Sequence, residues 1–376
     1  KLPLDTHNDL LTLNDSITAA LDALAAALPD TEFRDETLAQ LRDAYRPGAG
    51  MSLAFGRWIE AVLGPHGLVV YDSSDVAAKA LARDVFLKEI GAPGTTARLA
   101  ARTGEALVAK GYHAQAMLAD DTVSLFHLNA ERAAVRIEGA DAFVGDRAIS
   151  PADLAAEANA TPEHFSPNVL LRPLVQDTIF PTICYVAGPN ELAYLGQLKD
   201  VYAHFGVPMP LMYQRATATI VDSATLRFLA KYELPFTALR AKDEAALNHL
   251  LESQLPPTVE QSLTAVASSI TERMAAVSAA VPQIDPTLEG AVKSTLGRLQ
   301  HDVQSLHNKV IQAAKRRDDT LRRQFQRAQA LSFPQGHPQE REVGFVWFLN
   351  RYGPALVDRL IEELPLEMGH HWVLTI

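Results

Sequence analysis

The spacing of apolar residues over the first 240 positions predicts an α/β fold. Short apolar runs typical of strands occur at 67–72, 123–128, 133–137, 180–186, 209–213 and 218–221. Stretches with helical spacing occur at 14–44, broken near Pro29, and at 95–109, 191–205 and 224–231. Strands that alternate with helices favour an α/β layer with a mostly parallel sheet. The run at 67–72 ends in a carboxylate and is typical of a buried parallel strand.

A second pattern begins near residue 241 and predicts a helical hairpin. Apolar residues recur at steps of three and four, first at 263, 266, 270, 274 and 277, and after Pro282–Pro286 at 288, 292, 296, 299, 303, 306, 310 and 313. From Val292 the steps alternate strictly, which is the 3.5-residue period of a coiled-coil seam. The charged residues 315–319 extend the second helix and favour a protruding arm. The alternative is an ordinary amphipathic pair packed on the main domain.

Three regions follow from these patterns. Residues 1–240 form the α/β core with its connecting inserts, and residues 241–328 form the helical hairpin. Residues 329–376 return to a globular pattern, with helical spacing on both sides of Gly353-Pro354 and an apolar end at 372–376 that is typical of a terminal strand.

Composition narrows the function classes. At 376 residues with 48% hydrophobic content, the chain can form two or more domains. The net charge of −11 opposes binding to phosphate backbones, so we expect no nucleic-acid partner. No window approaches the roughly 18–20 apolar residues that span a bilayer, so we expect no membrane span. Residues 1–5 lack the features of a signal peptide.

The only cysteine, Cys184, excludes an internal disulfide framework and fits a reducing cytosol, so we expect a cytoplasmic protein. Since Cys184 lies in an apolar run, we expect a small core residue rather than a nucleophile. The chain lacks the dinucleotide-binding, phosphate-loop and zinc-protease signatures. The sequence therefore assigns no catalytic residue and no metal ligand.

Polar residues within the apolar segment 166–178 are the first candidates for chemistry. Arg172, Gln176 and Asp177 lie among Leu, Val and Pro, where unpaired polar groups are costly. One interpretation is an internal Arg–Asp pair that fixes the loop, with Asn168 positioning it. The other is a set of donors for a substrate carboxylate or phosphate.

The segment Tyr185–Tyr194 holds the second group of candidates. A strand, a turn at Gly188 and a helix would place free N–H groups at the carboxyl edge of the sheet, where open α/β sheets bind ligands. Glu191 would either contact a substrate amine or complement the helix dipole. Arg215 follows the predicted strand at 209–213 and is expected at the same edge.

Segments 168–178 and 185–194 resemble the signature of the BshC family of bacillithiol biosynthesis. Further segments agree in order: Tyr45–Gly48, Phe55, Gly64–Leu68, Phe205–Pro210, Gln339–Arg341 and Phe348–Leu356. The resemblance implies a Rossmann-like core, a coiled-coil arm used in homodimerisation, and addition of L-cysteine to glucosaminyl-malate. Family members begin with a segment that carries a Gly-Gln-Gln turn and a Glu-Asp-His-Asp motif, and this sequence lacks both and an initiator Met. We therefore expect a C-terminal fragment that is inactive or incompletely folded alone.

These observations together predict a nucleotide-linked ligase with a Rossmann-like α/β core, a parallel sheet and a helical coiled-coil arm. The expected partners are small molecules and a second copy of the chain. ATP or ADP is the expected cofactor, and a metal is left open. The predicted substrate-binding residues are Asn168, Arg172, Gln176, Asp177, Tyr185, Gly188, Glu191, Tyr194 and Arg215. The rival hypothesis is a non-enzymatic dimeric scaffold organised by the coiled coil.

Overall fold

The computed structural model describes residues 11–116, 122–128, 132–139, 141–240, 244–253, 257–317 and 319–376. The chain divides into two compact units, one of residues 1–217 with 345–371 and the other of 218–344 with 372–376. This division falls after Thr217, whereas the hydrophobic spacing changes near 241. The segment 1–5 and residue 318, which the sequence analysis used, lie outside the described residues.

Helices account for most of the described residues. The α-helices are α1 (Ser16–Ala27), α2 (Arg34–Ala44), α3 (Met51–Leu63), α4 (Val76–Lys79), α5 (Arg83–Gly91), α6 (Thr95–Val108), α7 (Pro151–Ala160), α8 (Arg172–Ile179), α9 (Pro189–Leu195), α10 (Lys199–Phe205), α11 (Ser223–Lys231), α12 (Ala245–Ser253), α13 (Pro257–Ala280), α14 (Glu289–Arg317), α15 (Asp319–Ser332), α16 (Gln339–Glu342), α17 (Phe345–Tyr352) and α18 (Ala355–Glu363). Short 3-10 turns lie at Gly64–His66, Ala80–Ala82, Pro162–His164, Phe236–Arg240, Val281–Gln283, Pro286–Leu288 and Pro334–Gly336.

The strands of the described residues form three sheets. They are β1 (Thr122–Leu128), β2 (Arg132–Glu138), β3 (Asp141–Val144), β4 (Arg147–Ile149), β5 (Phe165–Pro167), β6 (Cys184–Ala187), β7 (Leu211–Gln214), β8 (Thr217–Val221) and β9 (His371–Thr375). The largest sheet has the order β4-β3-β2-β1-β5, and all its neighbours are antiparallel. Strands β6 and β7 form a parallel pair, and β8 pairs with β9.

The prediction of a mostly parallel sheet is therefore wrong for the main sheet. Strands β1 to β4 follow one another through very short links, such as residues 145–146 between β3 and β4. Links of this length can join only antiparallel neighbours, because a parallel pair needs a crossover of a dozen or more residues. The parallel strands β6 and β7 have such a crossover, residues 188–210, which contains α9 and α10.

Three local predictions are also wrong. The run 67–72 is not a strand: it follows a 3-10 turn, and Val69 is 87% exposed. Its side chains contact neighbouring helices at the surface instead, with Tyr71 edge-on to Phe180. The predicted helix 191–205 is two helices, α9 and α10. Cys184 is exposed rather than buried, because it begins β6 on the face that points away from the core.

The main core of the first unit lies between the antiparallel sheet and the helices α5 to α10. Its fully buried side chains include Phe86, Leu154, Phe165, Leu174 and Tyr202. Burial of each side chain of this size contributes about 1.5–3 kcal/mol. This core therefore fixes the strand β5 and the helix α8, which carry the first predicted site residues.

A second core cluster of the same unit joins α1, α2 and α3 to α17 and α18. Gly353, between α17 and α18, has a φ of +75°, and a Cβ there would lie 2.6 Å from the Phe33 ring. Buried Asn350 donates to the carbonyl of Pro29 at 3.1 Å and accepts from Thr31. The segment 348–356 therefore holds this cluster together.

The second unit contains a helical cluster and the predicted hairpin. Helices α11, α12 and α15 bury Phe228, Leu250, Leu321 and Phe325, among others. Helices α13 and α14 lie side by side, and Glu260 Oε2 is 3.2 Å from His307 Nε2. The hairpin is thus present, whereas its supercoiling and its projection from the core stay predictions.

Candidate functional site

Asn168 starts the segment that positions Arg172. Its side chain is buried, and Oδ1 accepts hydrogen bonds from the amides of Leu170 at 3.0 Å and Leu171 at 3.2 Å. Its carbonyl accepts from the Arg172 amide at 2.9 Å, and its own amide donates to Ser124 on β1 at 2.9 Å. Asn168 therefore ties the first turn of α8 to the antiparallel sheet and contacts the loop rather than open solvent.

Arg172 is the centre of a polar cluster with two tyrosines. Its Nη2 donates to Tyr185 Oη and to Tyr194 Oη, both at 2.8 Å. Nη2 also lies 3.5 Å from Oε1 of Glu191. Tyr185 comes from β6, and Tyr194 and Glu191 come from α9. One guanidinium thus brings together residues that the sequence places 22 positions apart.

Glu191 contacts the turn as well as the guanidinium. Its Oε2 accepts from the amide of Gly188 at 3.2 Å, and its Oε1 lies 3.5 Å from Tyr194 Oη. A carboxylate at the third helical position that reaches back to the N-cap amide stabilises the start of a helix. The structure therefore shows the contact of Glu191 with the start of α9, and the contact with a substrate amine stays a prediction.

Arg215 lies at the same edge of the parallel pair. In the β6–β7 register Ala187 is opposite Gln214, so Gly188 and Arg215 follow the two carboxyl ends together. The Arg215 amide donates to the carbonyl of Ala187 at 2.9 Å. A Cβ on Gly188 would lie 3.2 Å from Arg215 Nε, so glycine allows this side chain to approach the turn closely.

Asp177 and Gln176 belong to a different contact. Asp177 Oδ2 accepts from Tyr202 Oη at 2.6 Å, and Gln176 Nε2 is 3.4 Å from Asp177 Oδ1. Tyr202 lies on α10 and is only 1% exposed. The structure therefore brings together Arg172, Tyr185, Glu191 and Tyr194, with Gly188 and Arg215 beside them, and gives Asp177 a buried phenol as its partner. Nothing in the sequence around Tyr202 distinguishes it from an apolar core position, so the sequence does not identify it as the partner of Asp177.

The electrostatics favour the charged form of Arg172 and the neutral form of Tyr185. Burial tends to lower the pKa of the Arg172 guanidinium, but its bonds to the two phenol oxygens outweigh this and raise the pKa overall. Burial raises the pKa of Tyr185 despite the opposing effect of Arg172. At neutral pH Arg172 is therefore a guanidinium cation and Tyr185 a neutral phenol.

The cluster is accessible to a solute. The side chains of Arg172 and Glu191 are each 43% exposed. Guanidinium groups bind carboxylates and phosphates in two-pronged geometry, and phenol hydroxyls can donate to the same anion. The arrangement can therefore hold a small anion near Arg172 and an amine near Glu191.

Two protein-family models match consecutive parts of the chain. The first is described as bacillithiol biosynthesis BshC, N-terminal Rossmann-like domain, and matches residues 6–216. The second is described as bacillithiol biosynthesis BshC, C-terminal coiled-coil domain, and matches residues 218–376. Their boundary coincides with the break between the two compact units after Thr217, whereas residues 345–371 of the second match belong to the first unit.

Curated relatives agree with these matches. Proteins named "Putative cysteine ligase BshC" from Salinibacter ruber and Chlorobaculum tepidum are each 33% identical to this chain, over 370 and 369 residues. These alignments cover 97% and 94% of this chain but 67% and 65% of the relatives. A relative of the same name from Koribacter versatilis is 32% identical over 86% of this chain and 61% of its own length. The chain thus spans about two thirds of the length of the relatives it matches.

Proposed function

Because the chain belongs to the BshC family of bacillithiol biosynthesis proteins, we propose that it acts as a ligase that adds L-cysteine to glucosaminyl-malate. The reaction would form a carbon–nitrogen bond in the last step of the synthesis of this low-molecular-weight thiol. The names of the relatives support the ligase class, and the substrates are part of the proposal. A reaction that adds cysteine with its free thiol fits the reducing cytosol, which we propose as the location of this protein.

The observation that carries the proposal is the Arg172 cluster at the carboxyl edge of the β6–β7 pair. Arg172 and Arg215 are the proposed contacts for a substrate carboxylate or phosphate, and Glu191 is the proposed contact for an amine. An amine at Glu191 would replace part of its contact with Arg172, which is 3.5 Å away and half-exposed. Such an exchange costs little, because exposed ion pairs contribute only about 0–1 kcal/mol.

The chemistry requires an activated carboxylate. One oxygen of the cysteine carboxylate must leave with an activating group, the amine nitrogen of glucosaminyl-malate must attack the acyl carbon, and the nitrogen must then lose a proton. Positive groups would stabilise the oxyanion that develops on the carbonyl oxygen. We propose ATP or ADP as the nucleotide linked to this activation, and no described residue is assigned as the general acid or base.

At this site side chains, rather than backbone amides, would bind the phosphates of a nucleotide. The turn after β6 contains Pro189, which has no N–H, and the Gly188 amide already donates to Glu191. The turn therefore does not form a backbone cradle for phosphates. Arg172 and Arg215 have the charge that a phosphate requires, so any phosphate at this edge would be held by guanidinium groups.

Complementation tests the ligase proposal. A bacterial strain that lacks its own BshC gene is complemented with the gene that contains this sequence, and bacillithiol is measured by thiol labelling. The unmodified gene is expected to restore bacillithiol and Arg172→Ala to abolish it. Arg102→Ala is the matched control, because Arg102 also forms an ion pair but lies on α6 and is 68% exposed.

The outcomes of the complementation test distinguish the role of Arg172 from the ligase function of the chain. Normal bacillithiol with Arg172→Ala would remove Arg172 from the site, and no bacillithiol with the unmodified gene would contradict the ligase function. Circular dichroism of the variant protein shows whether loss of bacillithiol reflects loss of folding.

The second candidate function is a non-enzymatic dimeric scaffold, and the helical hairpin favours it. Large apolar residues along α13, α14 and their connection remain exposed: Val266, Val277, Ile284, Leu288, Leu299 and Leu306. A pair of helices buries one stripe on each helix, so a second copy would cover these residues. We propose that the chain forms homodimers through this hairpin whether or not it is an enzyme.

Among the described residues no helix combines the length and apolar character needed to span a membrane.

Sedimentation tests the dimer. The double variant Leu299→Lys/Leu306→Lys is expected to be monomeric with unchanged helix content, because the two side chains are 36% and 53% exposed within the chain. Lys293→Glu on the same helix is the control, since its side chain is 74% exposed. An unmodified protein that stays monomeric at high concentration would contradict the dimer.

A further inference from the structure

A second polar cluster lies in the first unit and does not share residues with the Arg172 site. His127 Nε2 is 2.9 Å from Oε1 of Glu157, and His164 Nδ1 is 3.3 Å from the same oxygen. The three atoms all lie within 4.8 Å of one another. His127 is 2% exposed, whereas the Glu157 and His164 side chains are 27% and 46% exposed. The cluster is therefore closed on one side and open to solvent on the other.

Rigid elements hold the three side chains together. His127 lies on β1, directly opposite Phe165 of β5, and its ring packs edge-on against the Phe165 ring at 5.2 Å. Glu157 lies in the last turn of α7, where its carbonyl accepts from Thr161. His164 ends the 3-10 turn that connects α7 to β5. The residues are thus placed by a strand pair and a helix end, without a long loop between them.

We propose that His127, Glu157 and His164 bind one divalent transition-metal ion of the zinc class. Two imidazoles and one carboxylate form a donor set that zinc uses in proteins, with a fourth position left for water. Ligand atoms at about 2.0–2.1 Å from a tetrahedral ion lie about 3.3 Å apart. The two measured nitrogen–oxygen distances, 2.9 and 3.3 Å, are close to this edge length.

The alternative is a hydrogen-bonded triad without an ion. In that case both imidazoles would donate to one carboxylate oxygen, while the other oxygen, Oε2, lies 4.0 Å from Arg147 Nη2. His127 Nδ1 is buried and has no hydrogen-bond partner among the described residues, whichever nitrogen carries the proton. The convergence of both nitrogens on Oε1 of Glu157 fits a triad and a shared ion alike, and the partial exposure of Glu157 and His164 is what an ion with a water ligand requires in addition.

An ion at this position would join α7, β1 and the turn before β5. The partial exposure of Glu157 and His164 allows the ion to enter and leaves room for a water ligand. The expected effect is a local increase in stability when the ion is bound, because binding to the folded state alone raises the free energy of unfolding. This inference does not depend on the ligase proposal.

Titration of the purified chain with Co²⁺ and Zn²⁺ tests the site. One equivalent of Co²⁺ is expected to give the strong visible absorption of tetrahedral coordination, and Zn²⁺ is expected to displace it and to raise the melting temperature. His164→Ala and Glu157→Gln are expected to weaken zinc binding by at least about tenfold, since even residues that only support a ligand contribute this much.

Matched variants distinguish the site from surface binding. His113→Ala changes an exposed histidine elsewhere in the unit, and Glu163→Gln changes the residue beside His164. Both are expected to bind zinc as the unmodified chain does. The proposal is overturned if the unmodified chain binds no equivalent, or if folded His164→Ala and Glu157→Gln both keep the unmodified affinity.

Discussion

Two polar residues of helix α8, only five positions apart, have opposite surroundings. Arg172 is half-exposed and bonds to two tyrosines and to Glu191, whose equally exposed carboxylate can also contact a solute. Asp177 bonds to the hydroxyl of Tyr202, which is 1% exposed. In the sequence both are polar residues among apolar neighbours. The comparison shows that exposure of the partner separates a candidate binding residue from a structural one.

The largest effect on stability is expected at the Asp177–Tyr202 contact. Asp177→Ala leaves the buried Tyr202 hydroxyl without an acceptor, and we expect the free energy of unfolding to fall by about 1–3 kcal/mol. Tyr202→Phe should lose only about 1 kcal/mol, since the partly exposed Asp177 carboxylate can be hydrated. Urea denaturation measures both.

The double variant completes this test. Because Asp177→Ala/Tyr202→Phe leaves no unsatisfied hydroxyl, it should be no less stable than Asp177→Ala alone. An Asp177→Ala variant with unchanged stability would contradict the structural role of Asp177, which would then again be a candidate binding residue.

Alkaline pH is expected to have the next largest effect on the free energy of unfolding. Burial, followed by the bond to Asp177 and its charge, raises the pKa of Tyr202 well above its usual value. Above about pH 10 the unfolded chain loses this proton while the folded chain retains it. The free energy of unfolding should therefore fall by about 1.4 kcal/mol per pH unit above pH 10 and be unaffected by this group below it.

Comparison with Tyr202→Phe isolates this contribution. Tyr45 and Tyr71, whose pKa values burial also raises, are present in both proteins and cancel in the difference. Denaturation at about pH 9 and about pH 11 should show a steeper loss for the unmodified chain. Equal losses would mean that the Tyr202 hydroxyl is hydrated in the folded state.

The candidate site was predictable only where local sequence determines it. The strand–glycine–helix pattern at 185–194 placed Gly188 and Glu191 at the edge of a parallel pair, and the following strand placed Arg215 beside them. Neither the partner of Asp177 nor the cluster of His127, Glu157 and His164 was predictable. Except for Glu157 and His164, which lie 7 positions apart, these contacts join residues 25 to 37 positions apart, and their distances depend on how helices pack against the sheet.

The same distinction between local sequence and tertiary packing applies to the fold. The helices α13 and α14 follow from their apolar spacing, because helical periodicity is a local property of the sequence, although Val266, Leu299 and other members of that series remain exposed in the chain. The direction of strands β1 to β4 depends on link lengths rather than on the apolar runs, and the run at 67–72 has the composition of a strand without a strand partner. Short apolar runs indicate burial or surface contact equally, and only tertiary pairing decides between them.

Removal of Arg172 should change stability less than removal of Asp177. The Arg172 side chain is 43% exposed, and its ion pair with Glu191 is open to water. We expect Arg172→Ala to lower the free energy of unfolding by no more than about 1 kcal/mol. A loss above about 2 kcal/mol in urea denaturation would show that Arg172 also has a mainly structural role, since losses of that size come from buried networks.

The smallest effect on stability is expected for Gly188→Ala, which tests the close approach of Arg215. Gly188 has φ −71° and ψ 165°, a conformation that alanine also adopts, so the backbone should tolerate the change within about 0.5 kcal/mol. The added Cβ would lie 3.2 Å from Arg215 Nε, and the guanidinium would have to move by a few tenths of an ångström. We therefore expect weaker binding of L-malate or L-cysteine, measured by isothermal titration calorimetry, with little change in stability.

Gly50→Ala is the matched control, because Gly50 caps α3 in a similar conformation and a Cβ there meets no atom within 4 Å. If the two variants bind these probes equally well, Arg215 does not contribute to the site, and the half-exposed cluster is confined to Arg172 and its tyrosines.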